Sequence, residues 1–155
     1  MMKICDLLKE NHIIFNLKPG EKEKVLADFV HELKKRALIE DDKVILEELL
    51  SRENLGSTGL ERGIAIPHAL IEEIEEPFLA LALVKNGTNF AAMDQMPTYV
   101  LLLLLGNVNK PGKQLKILAH ICRLVKETQF VEKIRLAEKP KDVCRLLEEE
   151  EERIG

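Results

Sequence analysis

The stretch Thr98-Tyr99-Val100-Leu101-Leu102-Leu103-Leu104-Leu105 decides the fold, because from Val100 onward every side chain in it is aliphatic. A strand that is apolar at consecutive positions, rather than at alternate ones, has to be covered on both of its faces. We therefore predict a central strand here, with helices packed on both sides of its sheet. The run is also much shorter than the roughly 20 apolar residues that a membrane-spanning helix needs.

Other short apolar runs predict the neighbours of this strand. Leu79 to Val84 is again apolar throughout, and Asn86-Gly87 follows it as a strong signal for a tight hairpin turn. Ile64 to Ile66, ended by Pro67, and His12 to Leu17 predict two further strands. A hairpin within the sheet makes the predicted sheet mixed rather than wholly parallel.

Helical periodicity accounts for most of the remaining chain, with apolar residues at steps of one, three and four. The predicted helices span 21–37, from the Asp41-Asp42 cap to before Gly56, 113–125, 129–137 and 140–151. The expected fold class is α/β, a mixed β-sheet with helices packed on both faces as a three-layer sandwich, in a single domain over residues 1–155. The glutamate run near the end is expected to belong to a frayed acidic tail over 148–155.

The composition is typical of a soluble globular protein, with 46% hydrophobic and 32% charged residues. The 27 acidic and 23 basic residues give a net charge of −4, which argues against nucleic acid as a partner. Charges interrupt the N-terminal apolar residues, so we expect no signal peptide. Three well-separated cysteines without a CxxC pair predict reduced thiols and no zinc site. We therefore expect a cytoplasmic protein with no membrane insertion.

The segment 52–69, RENLGSTGLERGIAIPHA, contains the residues with the clearest chemistry. His68 follows a short strand and a proline, which predicts an imidazole at an open position on a rigid scaffold. A histidine with a pKa near 6.5 is mostly neutral and nucleophilic at cellular pH. Arg52 can relieve phosphoryl charge through its forked donors, and Ser57 or Thr58 can add neutral ones. Taken alone, these residues also fit a histidine that is merely hydrogen-bonded at a strand end.

The spacing in this segment resembles the phosphorylation-site signature of phosphotransferase-system (PTS) IIA domains of the fructose/mannitol type, EIIA type 2. The pattern Leu55-Gly56-Ser57-Thr58-Gly59 followed by Gly63-Ile64-Ala65-Ile66-Pro67-His68 is most similar to the nitrogen-regulatory branch of that family. The similarity continues through Phe90-Ala91-Ala92-Met93-Asp94 and the central strand into the helix near Gln114. The order of helices and strands matches over nearly the whole chain.

The resemblance implies a function for individual positions. His68 matches the residue that accepts a phosphoryl group from an HPr-like phosphoprotein, with no cofactor, metal or nucleotide. Arg52, sixteen positions earlier, matches the arginine beside that site and would stabilise phosphoryl charge. Ser57 and Thr58 either assist or simply shape the loop through side-chain-to-backbone bonds.

One departure from the family pattern bears on the chemistry of the site. The family often carries a second histidine at the start of the helix after the central strand, where this chain has Gln114. His120 lies six residues further on, about 240° around the helix, so it cannot take the same place. Gln114 can hydrogen-bond to the ring or the phosphate but supplies no charge. Whether the phosphate is passed on or only signals stays open.

Three functions therefore remain in competition. The first is a regulatory phosphocarrier that controls a target protein, and the second is a sugar-transport IIA component that passes phosphate to a separate IIB. The third is a binding module that no longer cycles phosphate, for which Gln114 is the only support. A serine hydrolase built from Ser57, His68 and Asp94 is disfavoured, because the loop around Ser57 lacks the Gly-x-Ser-x-Gly elbow.

Overall fold

The computed structural model describes residues 3–155, and the predicted central strand lies in the middle of its sheet. The strands are β1 (Ile13–Ile14), β2 (Ile64–Ala65), β3 (His68–Ile71), β4 (Phe78–Thr88) and β5 (Thr98–Asn107). The sheet order is β1-β4-β5-β2, and β3 also pairs with β5. β1 is parallel to β4, β4 is antiparallel to β5, and β2 and β3 are parallel to β5. The predicted mixed sheet is confirmed.

Each face of the sheet supports its own core, because successive side chains of a strand point to opposite faces. Val100, Leu102 and Leu104 pack on the side of α1 (Ile4–Leu7), α4 (Pro111–Glu127), α5 (Phe130–Ile134) and α6 (Pro140–Ile154). Leu101, Leu103 and Leu105 pack on the side of α2 (Lys22–Lys35) and α3 (Asp42–Asn54). The chain thus has the predicted three layers. Within residues 3–155, no helix has the length and apolar character that a membrane crossing requires.

The connection between β4 and β5 corrects the predicted tight hairpin. Asn86-Gly87 lies inside β4, and residues 89–97 make the connection instead. The pairing register shifts between Leu83 and Thr88, and Gly87 adopts a φ of 82°. A Cβ on Gly87 would lie 2.9 Å from a ring carbon of Tyr99. The Asn-Gly pair therefore forms a β-bulge rather than a turn, and an aromatic ring packs against this bulge.

Strand β1 and helix α5 are shorter than predicted. The strand expected over 12–17 contains only Ile13 and Ile14, because Glu10–His12 form a single 3₁₀ turn before it. The Leu17 amide nevertheless donates to the Leu83 carbonyl at 3.2 Å, so the following segment still runs beside β4. The helix expected over 129–137 is limited to the five residues of α5, and the short helix α1 was not predicted.

The C-terminal residues are not the frayed acidic tail that was predicted. α6 continues to Ile154, and both Glu150 and Glu151 are buried. The Glu151 carboxylate accepts hydrogen bonds from the backbone amides of Ile4 and Cys5 at 2.7 and 2.9 Å and lies 2.7 Å from His120 Nε2. A helix buries one face, so two glutamates of an acidic run turn inward while their neighbours stay exposed.

Opposing effects act on the Glu151 carboxyl. Burial raises its pKa, but the hydrogen bonds from Cys5, His120 and Ile4 outweigh burial and hold the pKa below its usual value. The ionised form is therefore preferred in the folded protein. It joins the N-terminal helix to α4 and α6.

We expect Glu151→Gln to lower the free energy of unfolding by about 1.5–3 kcal/mol, the range for hydrogen bonds to a charged group. Urea unfolding at pH 7 measures this loss. Because the native pKa is lowered, the stabilisation is present above the pKa of an unfolded glutamate and disappears as pH falls through the native pKa. The difference in the free energy of unfolding between wild type and variant should therefore become smaller in acid. Glu149→Gln, at an exposed position of the same run, is the matched control and should change little.

Candidate functional site

The backbone around His68 is set by pairing with β5. Pro67 has no N–H and separates β2 from β3, as a proline in an edge strand can. Its carbonyl still accepts a hydrogen bond from the Leu104 amide at 2.9 Å, so the pairing continues across the proline. β3 then begins at His68, opposite Leu104. The half-buried imidazole therefore belongs to a residue of the sheet itself.

Both ring nitrogens of His68 have a partner. Nδ1 lies 2.8 Å from the carbonyl oxygen of Ile66, and Nε of Arg52 donates to Nε2 at 3.2 Å. A carbonyl can only accept and an arginine N–H can only donate, so Nδ1 carries the hydrogen and Nε2 presents its lone pair. This arrangement makes Nε2 the nucleophilic atom of the ring.

The surroundings keep this ring neutral. Burial lowers the pKa of His68 below 6.5, the Ile66 carbonyl opposes that shift, and the positive charge of Arg52 reinforces it. The charge of Glu53 has a smaller opposing effect. The net lowering means that the lone pair on Nε2 is available at neutral pH.

The Arg52 guanidinium makes two contacts, one at the end of its own helix and one with His68. It lies in the last turn of α3, and its Nη1 donates to the Gly56 carbonyl at 2.9 Å, which satisfies a carbonyl just beyond the helix end. The same side chain reaches the ring of His68 through Nε. The guanidinium is therefore held in place by the chain while it touches the imidazole.

The hydroxyls of Ser57 and Thr58 are engaged by the protein itself. Ser57 Oγ donates to the Phe90 carbonyl at 2.7 Å and accepts from the Gly59 amide at 3.1 Å. Thr58 is buried, and its hydroxyl donates to the Glu53 carboxylate. These contacts build the loop after α3 rather than point two free donors at His68.

Glu53 is a structural member of the site that the sequence reasoning missed. Its buried carboxylate accepts from the Thr58 amide at 3.2 Å as well as from the hydroxyl, and it pairs with Lys22 Nζ at 2.9 Å. Lys22 in turn lies over the Phe90 ring, 4.9 Å from its centre. The sequence carries no clear signal for this, since a glutamate near a helix end is ordinarily exposed.

Gln114 lies beside the strand that carries His68. Its side-chain amide nitrogen donates to the Ala69 carbonyl at 2.7 Å, and the residue is buried. His120, further along α4, bonds with Glu151 and does not replace it, as the helical geometry predicted. Of the sequence-predicted site residues, only Arg52 forms a hydrogen bond with the His68 ring within residues 3–155.

Comparisons with known proteins agree with this architecture. A family model described as "Phosphoenolpyruvate-dependent sugar phosphotransferase system, EIIA 2" matches residues 6–150. A nitrogen regulatory protein of Bradyrhizobium diazoefficiens is 31% identical over 134 residues, which cover 86% of this chain and 87% of that protein. A fructose-specific EIIABC component of Bacillus subtilis is 29% identical over 137 residues, or 88% of this chain. The chain spans only 22% of that longer relative.

Solved structures show the same fold. The crystal structure of the nitrogen regulatory protein IIA-Ntr from Neisseria meningitidis matches with a TM-score of 0.83 and 25% identity, over 93% of this chain and 98% of that one. The IIA mannitol enzyme of Escherichia coli, in complex with phosphorylated IIB, matches with a TM-score of 0.74 and 18% identity, over 92% and 99%. The second likeness bears on the fold alone.

We expect the His68 ring to titrate below pH 6.5, because burial and Arg52 both disfavour the imidazolium. A ¹H NMR titration of the ring Hε1 signal measures the midpoint, and His68→Gln identifies the signal by removing it. Arg52→Gln should raise the midpoint, since a nearby positive charge is lost. A midpoint at or above 6.5 in the wild type would contradict this description of the site.

We expect Thr58→Val to lower the free energy of unfolding by about 1–3 kcal/mol, because the buried Glu53 carboxylate loses a donor while the side-chain shape is kept. Chemical denaturation measures the change. Ser51→Ala, at an exposed position of α3, is the control and should stay within about 0.5 kcal/mol of wild type. Equal stabilities of Thr58→Val and wild type would show that this bond does not hold the loop.

Proposed function

Because the chain belongs to the EIIA type 2 family of the phosphoenolpyruvate-dependent sugar phosphotransferase system, we propose that it is a phosphocarrier in which His68 accepts a phosphoryl group from an HPr-like phosphoprotein. We assign it a regulatory role of the nitrogen type. The observation that carries the proposal is the neutral imidazole whose Nε2 lone pair faces Arg52 at 3.2 Å.

The transfer needs no group beyond the two proteins. Nε2 of His68 attacks the phosphorus of the donor phosphohistidine, a new N–P bond forms, and the donor imidazole leaves with the electron pair of the old bond. The Nδ1–H bond to the Ile66 carbonyl steadies the positive charge that develops on the ring. Arg52 loses the lone pair it was bonded to and turns its N–H to a phosphoryl oxygen. Catalysis here is mainly positioning and charge stabilisation.

Exposed apolar side chains support a protein as the phosphate donor. Leu55 follows α3 and is 85% exposed, Met93 is 70% exposed, and Leu115 beside Gln114 is 68% exposed. Met93 belongs to the site's surroundings, because its amide donates to the Gly59 carbonyl at 3.2 Å. Large exposed apolar groups beside a polar centre are typical of interaction surfaces. A small-molecule donor would have no use for them.

The regulatory assignment rests on relatives of similar extent, the nitrogen regulatory proteins. A specific alternative is a transport role in which His68 passes the phosphate to a separate IIB; the similarity to a fructose-specific component supports it. Its regulated target, or its IIB, would be the second partner. The three cysteines are free thiols, which suits the cytoplasm as the compartment for either role.

The test is phosphorylation with phosphoenolpyruvate, enzyme I and HPr, followed as acid-labile phosphate on the protein. Wild type should be labelled, and His68→Gln should not. Arg52→Gln should be labelled more slowly, by about 10²-fold, as when one charge-stabilising donor is removed. His31→Gln, an exposed histidine on α2, is the matched control and should behave as wild type. No labelling of wild type, under conditions that label a known IIA domain, would refute phosphate acceptance and favour the binding module.

A second step separates regulation from transport. Phosphorylated protein is mixed with a purified IIB domain of the fructose or mannitol type, and phosphate on each protein is followed with time. Retention on His68 supports the regulatory role, and rapid loss to IIB supports transport. Gln114→His, which adds a titratable ring beside the Ala69 carbonyl, should change the transfer rate if position 114 controls this step.

A further inference from the structure

A cleft of about 450 Å³ lies between α1 and the first half of α4. Its volume falls in the range of small-molecule sites, roughly 300–1,000 Å³. Neither His68 nor Arg52 lines it. The cleft therefore shares neither residue with the proposed phosphate site, and a ligand bound in it would not require phosphate acceptance by His68.

The cleft combines an apolar floor with a basic rim. Ile4, Leu7 and Ile117 line it with aliphatic side chains, of which Ile4 and Ile117 are buried. Lys3 and Lys116 are exposed at its rim. The apolar part of a ligand can pack on such a floor away from water. An anionic group of the same ligand can then reach a lysine at the rim.

The positive charge at the rim is little neutralised by the protein. Among residues 3–155, Lys3 and Lys116 have no acidic partner within 4.0 Å, and Lys113 has only the exposed Glu76 at 3.5 Å. His120, also at the cleft, is bonded to Glu151. That carboxylate is already satisfied by His120 and two backbone amides, so it adds little repulsion.

We propose that this cleft binds a small amphipathic carboxylate, with its apolar body on Ile4, Leu7 and Ile117 and its head group held by Lys3 and Lys116. The concave shape and the modest volume favour a small molecule over a protein segment, and the unneutralised lysines select an anion. The occupant is thus defined by an aliphatic or aromatic body of several carbons with one carboxylate.

The experiment uses a chain-length series of butyrate, hexanoate and octanoate, titrated into ¹⁵N-labelled full chain. Affinity should rise about fourfold for each added methylene that reaches the floor. Amide shifts should centre on Ile4, Leu7 and Ile117. Octylammonium has the same chain but the opposite charge, and it should bind at least about fivefold more weakly.

Variants test the rim directly. Lys3→Gln/Lys116→Gln should weaken octanoate binding by about twofold to thirtyfold, because two modest charge contacts are lost. Lys43→Gln/Lys126→Gln removes the same charge from exposed positions outside the cleft and should leave binding unchanged. His68→Gln should also bind octanoate normally, which separates this result from the phosphorylation test. Equal binding of octylammonium, an unaffected Lys3/Lys116 variant, or shifts centred elsewhere would overturn the proposal.

Discussion

β5 is hydrogen-bonded along both of its edges and covered on both of its faces, and the remainder of the molecule is arranged around it. β4 occupies one edge, while β2 and β3 share the other. Since the Pro67 carbonyl still bonds to the Leu104 amide at 2.9 Å, the register of the sheet extends across the proline to His68. The position of the imidazole therefore follows from backbone pairing in the core. A reactive group on such a scaffold needs little reorganisation before it acts.

The electrostatics of the site disfavour a cation and suit an anion. Arg52 beside His68 would repel an imidazolium, and burial adds to that penalty, so the ring stays neutral. The Ile66 carbonyl meanwhile holds the hydrogen on Nδ1 and leaves Nε2 open. If a phosphoryl group joins Nε2, its negative charge meets the guanidinium that disfavoured the proton. The same arginine would then act in opposite senses on the proton and on the phosphate.

Two errors of the sequence reasoning have the same physical origin. Asn86-Gly87 has a local preference for a turn. In the structure its left-handed backbone forms a bulge within the β4–β5 pairing, and the ring of Tyr99 packs against it. Glu151 belongs to an acidic run that suggests solvent, yet the amides of a distant N-terminal helix and His120 provide it with hydrogen bonds. In each case a contact made by a remote segment outweighed a correct local tendency. The residues around Asn86 or Glu151 in the sequence do not indicate which remote segment will contact them.

The sequence by itself determined the two-sided burial of residues 98–105, the mixed three-layer fold and most of the helices. It also identified Arg52 and His68 as candidate site residues. Periodicity and motif spacing are local properties, so they can be read without the structure. Only the tertiary structure decided that Arg52 Nε reaches Nε2, that Ser57 and Thr58 are engaged within their loop, and that Glu53 lies buried beneath it. These outcomes depend on how the end of α3, the loop and β3 pack together. A side chain's partner is set by that packing, whereas its tendency to be buried can be read from the pattern around it.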